Sequence, residues 1–194
     1  MSIKQQKQVQ AYLIEEFGKD KGSILFDRQE KTLNSLIENT KGKSKNQKKT
    51  LIQTILPRIA LYKVLLKGDF SQEEAYQYMR KYMIDRVAKK KHSSTAKMEV
   101  VPAFYSIYSS VFLNIMRTTD LQKSTQKHGK DYFDVTITEC LWHTACVEHH
   151  CAELCRLFCD VDEVTYGGLK KIGFTRTKTL GYGGDCCDFH FFKK

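Results

Sequence analysis

Leu-Gly-Tyr-Gly-Gly-Asp-Cys-Cys-Asp-Phe-His-Phe-Phe, residues 180–192, is the stretch that decides the fold of the C-terminal part of the chain. Its glycines predict a turn, because glycine accepts positive φ without steric cost. The residues after them predict a strand, in which side chains alternate between two faces. One face then carries Cys187, Phe189 and Phe191. The other face carries Cys186, Asp188 and His190. The aromatic face predicts a sheet that closes over a core.

Further strands and a helix precede this stretch. Residues 132–140 alternate apolar and polar side chains, which predicts a half-buried strand. Residues 171–180 are rich in threonine and predict a strand joined to the last one by a short glycine loop, as a hairpin. Residues 141–159 have helical spacing and predict one helix that ends at Cys159.

The first part of the chain has the periodicity of helices. The spacing predicts helices over residues 1–17, 24–37, 50–66, 72–90 and 103–116. Gly18 and Gly22 are expected to break the first of them, and Pro57 to kink the third or divide it in two. The fourth begins at a capping box of Ser71 and Glu74.

Two details of this helical part follow from composition and spacing. Residues 41–49 predict a polar, basic and mobile connector. The core face of the last helix is expected to consist of Phe104, Ile107, Tyr108, Val111, Phe112 and Ile115.

These segments together predict an α+β fold, with a helical N-terminal part followed by a small antiparallel sheet packed with helices. We expect a mainly helical region over residues 1–130 and a cysteine-rich α+β region over residues 131–194. The two regions are expected to form one compact domain.

Composition is typical of a globular protein, with 41% hydrophobic and 28% charged residues. No apolar run approaches the roughly 20 residues that span a bilayer, and residues 1–10 lack the apolar segment of a secretory signal. The seven cysteines are an odd number and all lie within residues 140–187. A disulfide scaffold would staple the whole chain, so we expect reduced thiols and a cytoplasmic protein without a membrane partner.

The net charge of +10 is confined to one half of the chain. Residues 1–98 carry 21 Lys and Arg against 10 Asp and Glu, whereas residues 99–194 carry 11 against 12. A basic half is one mark of nucleic-acid binding. The lysines are, however, diluted by glutamine, glutamate and serine, so a solvated helical surface with weak, unspecific affinity for nucleic acid is expected.

Cysteine and histidine are concentrated between residues 140 and 159, which raises the question of a metal site. Helical spacing gives one stripe of Cys151, Cys155 and Cys159. A second stripe consists of His143, Cys146 and His150. Neither a Cys-x-x-Cys pair nor a His-Glu-x-x-His motif is present, so no metal cofactor is expected. Zinc remains the alternative, and buried apolar cysteines with exposed histidines are the structural interpretation.

The last third of the chain resembles the L-2-amino-thiazoline-4-carboxylic acid hydrolase family. The clear match covers about residues 132–192, and residues 56–63 match more weakly. The matching segments are Thr136 to Cys140, Phe158-Cys159 with Asp162, Arg176 to Leu180, and Gly184 to Phe189. His190 stands where the family pattern would have arginine. The resemblance implies a hydrolase that opens a cyclic isothiourea to an N-carbamoyl amino acid.

The resemblance places the reaction on its matching residues. The candidate catalytic residues are Cys187, Asp188, Cys159 and Cys140, which we expect around one pocket between the sheet and its helix. The candidate substrate-binding residues are Arg176, Thr179, Asp162 and His190. Cys187 is expected to face the pocket, and Asp188 to face away and orient a donor. Arg176 could lower the pKa of a thiol or clamp the substrate carboxylate.

Two mechanisms and two functions remain open at this point. A thiolate can attack the amidine carbon directly, or a carboxylate or imidazole can activate water. Instead of a hydrolase with a small-molecule substrate, the chain could be a non-catalytic protein that uses its cysteine cluster for a metal or thiol ligand. Self-association into a homo-oligomer is compatible with both.

Overall fold

The computed structural model describes residues 3–194, so Met1 and Ser2 of the first predicted helix lie outside the described part. Its contacts divide the chain into two compact units. The first unit ends at Tyr82, and the second runs Met83–Lys194. The predicted change of character at residues 130 and 131 falls inside the second unit. No helix within residues 3–194 has both the length and the apolarity to cross a membrane.

The first unit is helical. Its helices are α1 (Ile3–Phe17), α2 (Lys19–Glu38), α3 (Lys45–Thr50), α4 (Leu56–Leu66) and α5 (Gln72–Lys81). Gly18 separates α1 from α2 as predicted, but Gly22 lies within α2. A Cβ on Gly22 would lie 2.6 Å from the carbonyl oxygen of Leu13, so this glycine lets α1 and α2 pack closely instead of breaking a helix.

The predicted connector is shorter than residues 41–49. Ser44 accepts a hydrogen bond from the amide of Gln47 at 3.1 Å, and Gln47 caps Ser44 in return at 3.3 Å. This capping box starts α3 at Lys45. The second box, at Ser71 and Glu74, is present as predicted and starts α5.

Pro57 lies at the start of α4 and follows a π-helical turn, Leu51–Ile55. Proline has no amide hydrogen and crowds the carbonyl four residues earlier, so the wider turn replaces regular winding before it. The guanidinium of Arg58 donates to the carbonyl of Thr54. Arg58 is buried, and burial lowers its pKa, with Tyr82 opposing that effect.

The second unit contains the sheet, which confirms the α+β class. A π-helical turn, Tyr82–Ala88, leads into α6 (Lys89–Met98), followed by α7 (Phe104–Thr118), β1 (Gln122–His128), β2 (Tyr132–Cys140), α8 (Leu141–Glu148), α9 (Cys155–Tyr166), β3 (Ile172–Thr175) and β4 (Cys187–Lys193). The strand order is β1-β2-β4-β3, and every neighbouring pair is antiparallel.

The inner face of β4 forms the centre of this unit. Cys187, Phe189 and Phe191 are buried, and the residues between them are half-buried, so the predicted alternation is confirmed. Phe191 is fully buried and stacks on Phe133 of β2, with ring centroids 4.7 Å apart and planes inclined by 12°. Phe191 also contacts the rings of Tyr108, Phe112, Tyr166 and Phe174.

Strand β1 was not predicted from the sequence. It reads Gln-Lys-Ser-Thr-Gln-Lys-His and has no apolar residue to give the period-two signal. It forms an edge of the sheet, where Ser124 and Gln126 lie opposite Ile137 and Val135 of β2. Backbone pairing with β2, rather than side-chain burial, holds it in place.

The prediction of the core face of α7 was partly wrong. Phe104 is buried, and Tyr108 and Phe112 pack against the sheet as expected. Ile107, Val111 and Ile115 are instead 50%, 54% and 44% exposed. Residues of both sets recur every four positions along the helix. Only the set that includes Phe104 faces β2 and β4.

We predict that Phe191→Ala destabilises the protein by about 3–5 kcal/mol, because it removes the ring at the centre of the aromatic cluster. Phe192→Ala is the matched control, since Phe192 lies next to it on the outer face of the sheet and is half-buried. Urea unfolding should show a much smaller loss for the control. Equal losses for the two variants would contradict the assignment of the faces.

Candidate functional site

Cys187 lies at the start of β4 with its side chain on the inner face. It is 5% exposed and pairs with Ile137 of β2. The backbone amide of Leu180 donates to its sulfur at 3.4 Å. Burial raises the pKa of Cys187 to about 11, this amide and Arg176 oppose the shift, and Cys159 and Asp162 add to it. Cys187 is therefore a dry thiol within electrostatic reach of three other candidates.

Asp188 points away from Cys187 and holds the loop that follows β3. Its carboxylate accepts the backbone amides of Thr177 at 3.0 Å and Lys178 at 2.8 Å, and also the hydroxyl of Thr177. Partial desolvation acts against ionisation of Asp188, but these hydrogen bonds outweigh it and lower the pKa. Strand β3 consequently ends at Thr175 and not at residue 180, and residues 176–186 form a loop that contains a 3₁₀ turn, Leu180–Tyr182.

The loop lies directly against α9. The hydroxyl of Thr179 is hydrogen-bonded to the thiol of Cys159, and Thr179 is buried. A Cβ on Gly181 would lie 2.8 Å from the sulfur of Cys159 and 3.1 Å from the backbone carbonyl of Cys155. Only glycine permits this close approach, so the glycine-rich stretch serves contact as well as turning.

Cys159 does not end a helix as predicted. The expected single helix over residues 141–159 is divided: α8 ends at Glu148, His150 has φ +54°, a 3₁₀ turn covers Ala152–Leu154, and α9 begins at Cys155. Cys159 therefore lies one turn into α9. The two stripes drawn for a continuous helix do not exist as such, because helical phase is lost at this break.

Four buried or partly buried thiols nevertheless form a row. Cys146 is hydrogen-bonded to Cys151 and Cys155, and Cys155 is hydrogen-bonded to Cys159. The pKa of each of Cys146, Cys155 and Cys159 is raised by a hydrogen bond to the preceding thiol or, for Cys146, to Cys151, and burial adds to the shift. The hydrogen bond to the following thiol opposes the shift at Cys146 and Cys155. The row ends at Thr179, and the structure contains no disulfide among the seven cysteines.

Cys140, the last residue of β2, adjoins the same place. Burial raises its pKa to about 12, hydrogen bonds from the amides of His143 and Trp142 oppose the shift, and Cys187 and Cys159 add to it. Cys140, Cys159 and Cys187 thus lie within electrostatic reach of one another between the sheet and α9. Asp188, which was expected at the same pocket, lies in a groove on the outer face of the sheet.

Asp162 is the acidic group of this site. Burial raises its pKa to about 6, Lys91 and Arg176 oppose the shift, and Glu163 adds to it. Asp162 in turn raises the pKa of Cys187 and Cys159. A carboxyl group that titrates near neutral pH can accept and return a proton, which is more than the substrate-binding role expected for it.

Two partly buried tyrosines face the same carboxyl group. Tyr108 and Tyr166 are hydrogen-bonded to each other, and burial raises the pKa of both, with Asp162 adding to the shift. Tyr166 lies one turn after Asp162 on α9. Helical spacing from Asp162 is the signal that could have identified it.

Arg176 is held on α9 by two contacts. Its Nη1 donates to the carbonyl of Cys159 at 2.9 Å, and its Nε lies 3.2 Å from Oε2 of Glu163. The side chain is only 9% exposed. Arg176 is therefore placed to act on Cys187 and Asp162, with part of its charge balanced by Glu163.

Lys91 was missed by the sequence reasoning. It lies in the run of basic residues 86–92, which was attributed to the end of a helix, and it lowers the pKa of Asp162 from α6. No local pattern links Lys91 to Asp162.

His190 is not part of the inner site. Its Nδ1 lies 2.6 Å from Oδ1 of Asp134, on the outer face of the sheet. Both line an open groove with Thr125, Lys127 and Thr136. Within the described part of the chain, no group of three or more His, Cys, Asp or Glu side chains is arranged to hold a metal ion.

Comparison with known proteins adds the family to this geometry. The family model described as L-2-amino-thiazoline-4-carboxylic acid hydrolase matches residues 47–191. The chain belongs to the L-2-amino-thiazoline-4-carboxylic acid hydrolase family. The match includes all the candidate site residues and Lys91, and it extends well beyond the last third of the chain in which the resemblance was clear.

The other comparisons add no functional information. No curated protein matches the chain. Among solved structures, the crystal structure of the Fe(II) unliganded H-NOX protein from K. algicida aligns with 97% of this chain and 94% of that chain, at 8% identity and a TM-score of 0.33. A similarity this weak gives no information about the candidate site.

The raised pKa of Asp162 predicts a pH-dependent stability. The folded state holds the proton up to about pH 6, whereas the unfolded chain releases it near pH 4, so the free energy of unfolding falls as pH rises between these values. Asp162→Asn should flatten that fall and stabilise the protein at pH 7–8. Urea unfolding from pH 4 to 8 measures both effects.

Asp160→Asn is the matched control for this experiment. Asp160 lies on the same helix and accepts a hydrogen bond from the hydroxyl of Tyr182 at 2.7 Å. If Asp160→Asn flattens the pH profile and Asp162→Asn does not, the buried acid has been misassigned.

Proposed function

We propose that this protein is a hydrolase that opens a small cyclic amidine, such as L-2-amino-thiazoline-4-carboxylate, to an N-carbamoyl amino acid. The proposal is carried by the electrostatic interaction between two groups inside the region that matches the family. One is the buried thiol of Cys187, and the other is the carboxyl group of Asp162, whose pKa is about 6. The family match supports hydrolysis. The thiol and the carboxyl group support cleavage of the ring C–S bond of a cyclic amidine.

Cys187 is the thiol best suited to act as nucleophile. Among the five thiols whose pKa is clearly raised, that of Cys187 is raised least. Cys159 is engaged by Cys155 and Thr179, which fixes its sulfur within the row. A thiol with a pKa of about 11 is protonated at neutral pH, so it needs a base at the moment of attack.

Asp162 supplies that base. In the proposed reaction the Cys187 sulfur bonds to the carbon between the ring sulfur and nitrogen, while its proton passes to Asp162. The ring C–S bond then breaks, and the departing sulfur takes the proton. Water adds to the resulting isothiourea carbon and expels the Cys187 sulfur, which regains a proton. The sum is the substrate plus one water, giving a carbamoyl group and a thiol.

Lys91 and Arg176 are proposed to bind the substrate carboxylate. They are the two cations that lower the pKa of Asp162, so an anionic ligand beside Asp162 would meet both. Binding of such a ligand near the thiol also excludes water from the reacting carbon. Cys140 and Thr179 complete the wall of the site, and Asp188 keeps the loop in position.

A second candidate, a non-catalytic protein that binds a small ligand, is favoured by the raised pKa values of the thiols. A chain without an activated thiolate can still hold a ligand among Cys140, Cys159 and Cys187. Incubation with a cyclic amidine followed by mass spectrometry separates the two functions, because only the hydrolase forms a covalent adduct and a carbamoyl product.

We propose a cytoplasmic protein whose partner is its small-molecule substrate. We further propose that its dispersed lysines bind nucleic acid only weakly, with an affinity that falls steeply with salt.

We predict that Cys187→Ser lowers kcat at least about 100-fold, because a hydroxyl is a much weaker nucleophile than a thiol at this pKa. Turnover of L-2-amino-thiazoline-4-carboxylate measures the loss, and the melting temperature should change little. Cys186→Ser is the matched control, since Cys186 is also buried but lies just before β4 begins at Cys187. Full activity of Cys187→Ser would show that Asp162 activates water directly.

The pH dependence of the reaction should have an acidic limb. Asp162 must be ionised to accept the thiol proton, so kcat/KM should rise with pH through about 6 and level off above pH 7. Activity of the wild-type protein from pH 4.5 to 8.5 measures the limb. A profile that falls across this range would require Asp162 to act in its protonated form.

A further inference from the structure

A second groove lies at the other end of β2 from Cys140. It is formed by α7 and the turn between β1 and β2, has a volume of about 350 Å³, and is separate from the site around Cys187. Its lining residues from α7 are Tyr105, Ser106, Ser109, Ser110, Leu113, Asn114 and Arg117. Its lining residues from the strands and their turn are His128, Gly129, Lys130, Tyr132 and Phe133.

The groove is rich in basic side chains and hydroxyl groups. Arg117, His128 and Lys130 are exposed along it, and the described residues give none of the three a carboxylate partner. The Nε of Arg117 donates to the carbonyl of Leu113 at 3.2 Å, which steadies the guanidinium against α7. The acidic neighbour of the groove, Asp131, lies 3.8 Å from the ammonium of Lys193.

Tyr105 supplies an independent observation. Its side chain is 6% exposed, and its hydroxyl is buried without a hydrogen-bond partner among the described residues. A buried hydroxyl left unpaired costs stability, and native proteins keep few of them. Burial and nearby Asp131 raise its pKa, so this hydroxyl keeps its proton and is able to donate it to an acceptor.

We propose that this groove binds the phosphoryl group of a small molecule. The Arg117 fork and the Lys130 ammonium match the charge and geometry of a phosphoryl group. The hydroxyls of Ser106 and Ser110 are further donors, whereas that of Ser109 already donates to the carbonyl of Ser106 at 3.1 Å. The Tyr105 hydroxyl gains the partner it lacks. The site is independent of the proposed hydrolysis, since none of its residues takes part in the chemistry at Cys187.

The test is isothermal titration calorimetry of the full chain with inorganic phosphate and with glycerol phosphate as a monoester. Sodium acetate at matched ionic strength is the anion control. The variants are Arg117→Ala and Tyr105→Phe. Lys127→Ala is the matched charge control, because Lys127 neighbours His128 on β1 but faces the opposite side of the sheet.

Both phosphate ligands should bind, and acetate should not. Arg117→Ala should weaken phosphate binding by about tenfold or more, as expected for loss of a charge-assisted hydrogen bond. Lys127→Ala should change it by less than about twofold, an effect of net charge alone. Tighter binding of the monoester than of phosphate would identify a phosphorylated metabolite as the ligand, and equal binding would identify phosphate itself.

Tyr105→Phe gives a second readout. It should weaken phosphate binding without lowering the melting temperature of the phosphate-free protein, because the hydroxyl removed has no partner there. The proposal is overturned if phosphate does not bind, if acetate binds equally well, or if Lys127→Ala and Arg117→Ala have the same effect. A loss of cyclic-amidine turnover in Cys187→Ser would leave this result unaffected, so the two proposals fail separately.

Discussion

The hydrogen bonds from the loop after β3 to the carboxylate of Asp188 hold the candidate site in place. Asp188 lies on the outer face of β4, so its own side chain is remote from the thiols. By accepting the amides of Thr177 and Lys178, it turns the chain back towards α9. This turn delivers the Leu180 amide to Cys187 and the Thr179 hydroxyl to Cys159. Asp188 faces away from the thiols, yet it determines where the Leu180 amide and the Thr179 hydroxyl lie.

Burial on the inner face gives a thiol and a carboxyl group different protonation behaviour near neutral pH. Desolvation raises the pKa of Cys187 to about 11 and that of Asp162 to about 6, which leaves the thiol neutral and the carboxyl poised near neutral pH. Arg176 opposes both shifts but is partly balanced by Glu163, so it cannot produce a thiolate by itself. The proposed attack by the Cys187 thiol therefore needs a base, the role that we propose for Asp162.

The sequence predicted those parts of the fold in which one face of an element meets the core. In β2 and β4 the alternation of apolar and polar residues identifies the strands and correctly places Cys187 inside and Asp188 outside. The capping box at Ser71 marked the start of a helix for an equally local reason. β1 could not be found, because an edge strand without apolar side chains has no alternation to detect. On α7 two stripes of equal spacing competed, and only the position of the sheet decides between them.

The sequence predicted part of the membership of the candidate site and none of its electrostatics. Motif resemblance selected Cys140, Cys159 and Cys187, but Cys159 was placed at a helix end, whereas it lies one turn into α9. The pKa of a group depends on burial and on charges distant in sequence, and Lys91 acts on Asp162 from a different helix. Helical phase also fails at a break such as His150, where positive φ resets the direction of every later side chain. The role proposed for Asp162 therefore follows only from the folded chain, where burial raises the pKa of an ordinary aspartate to about 6.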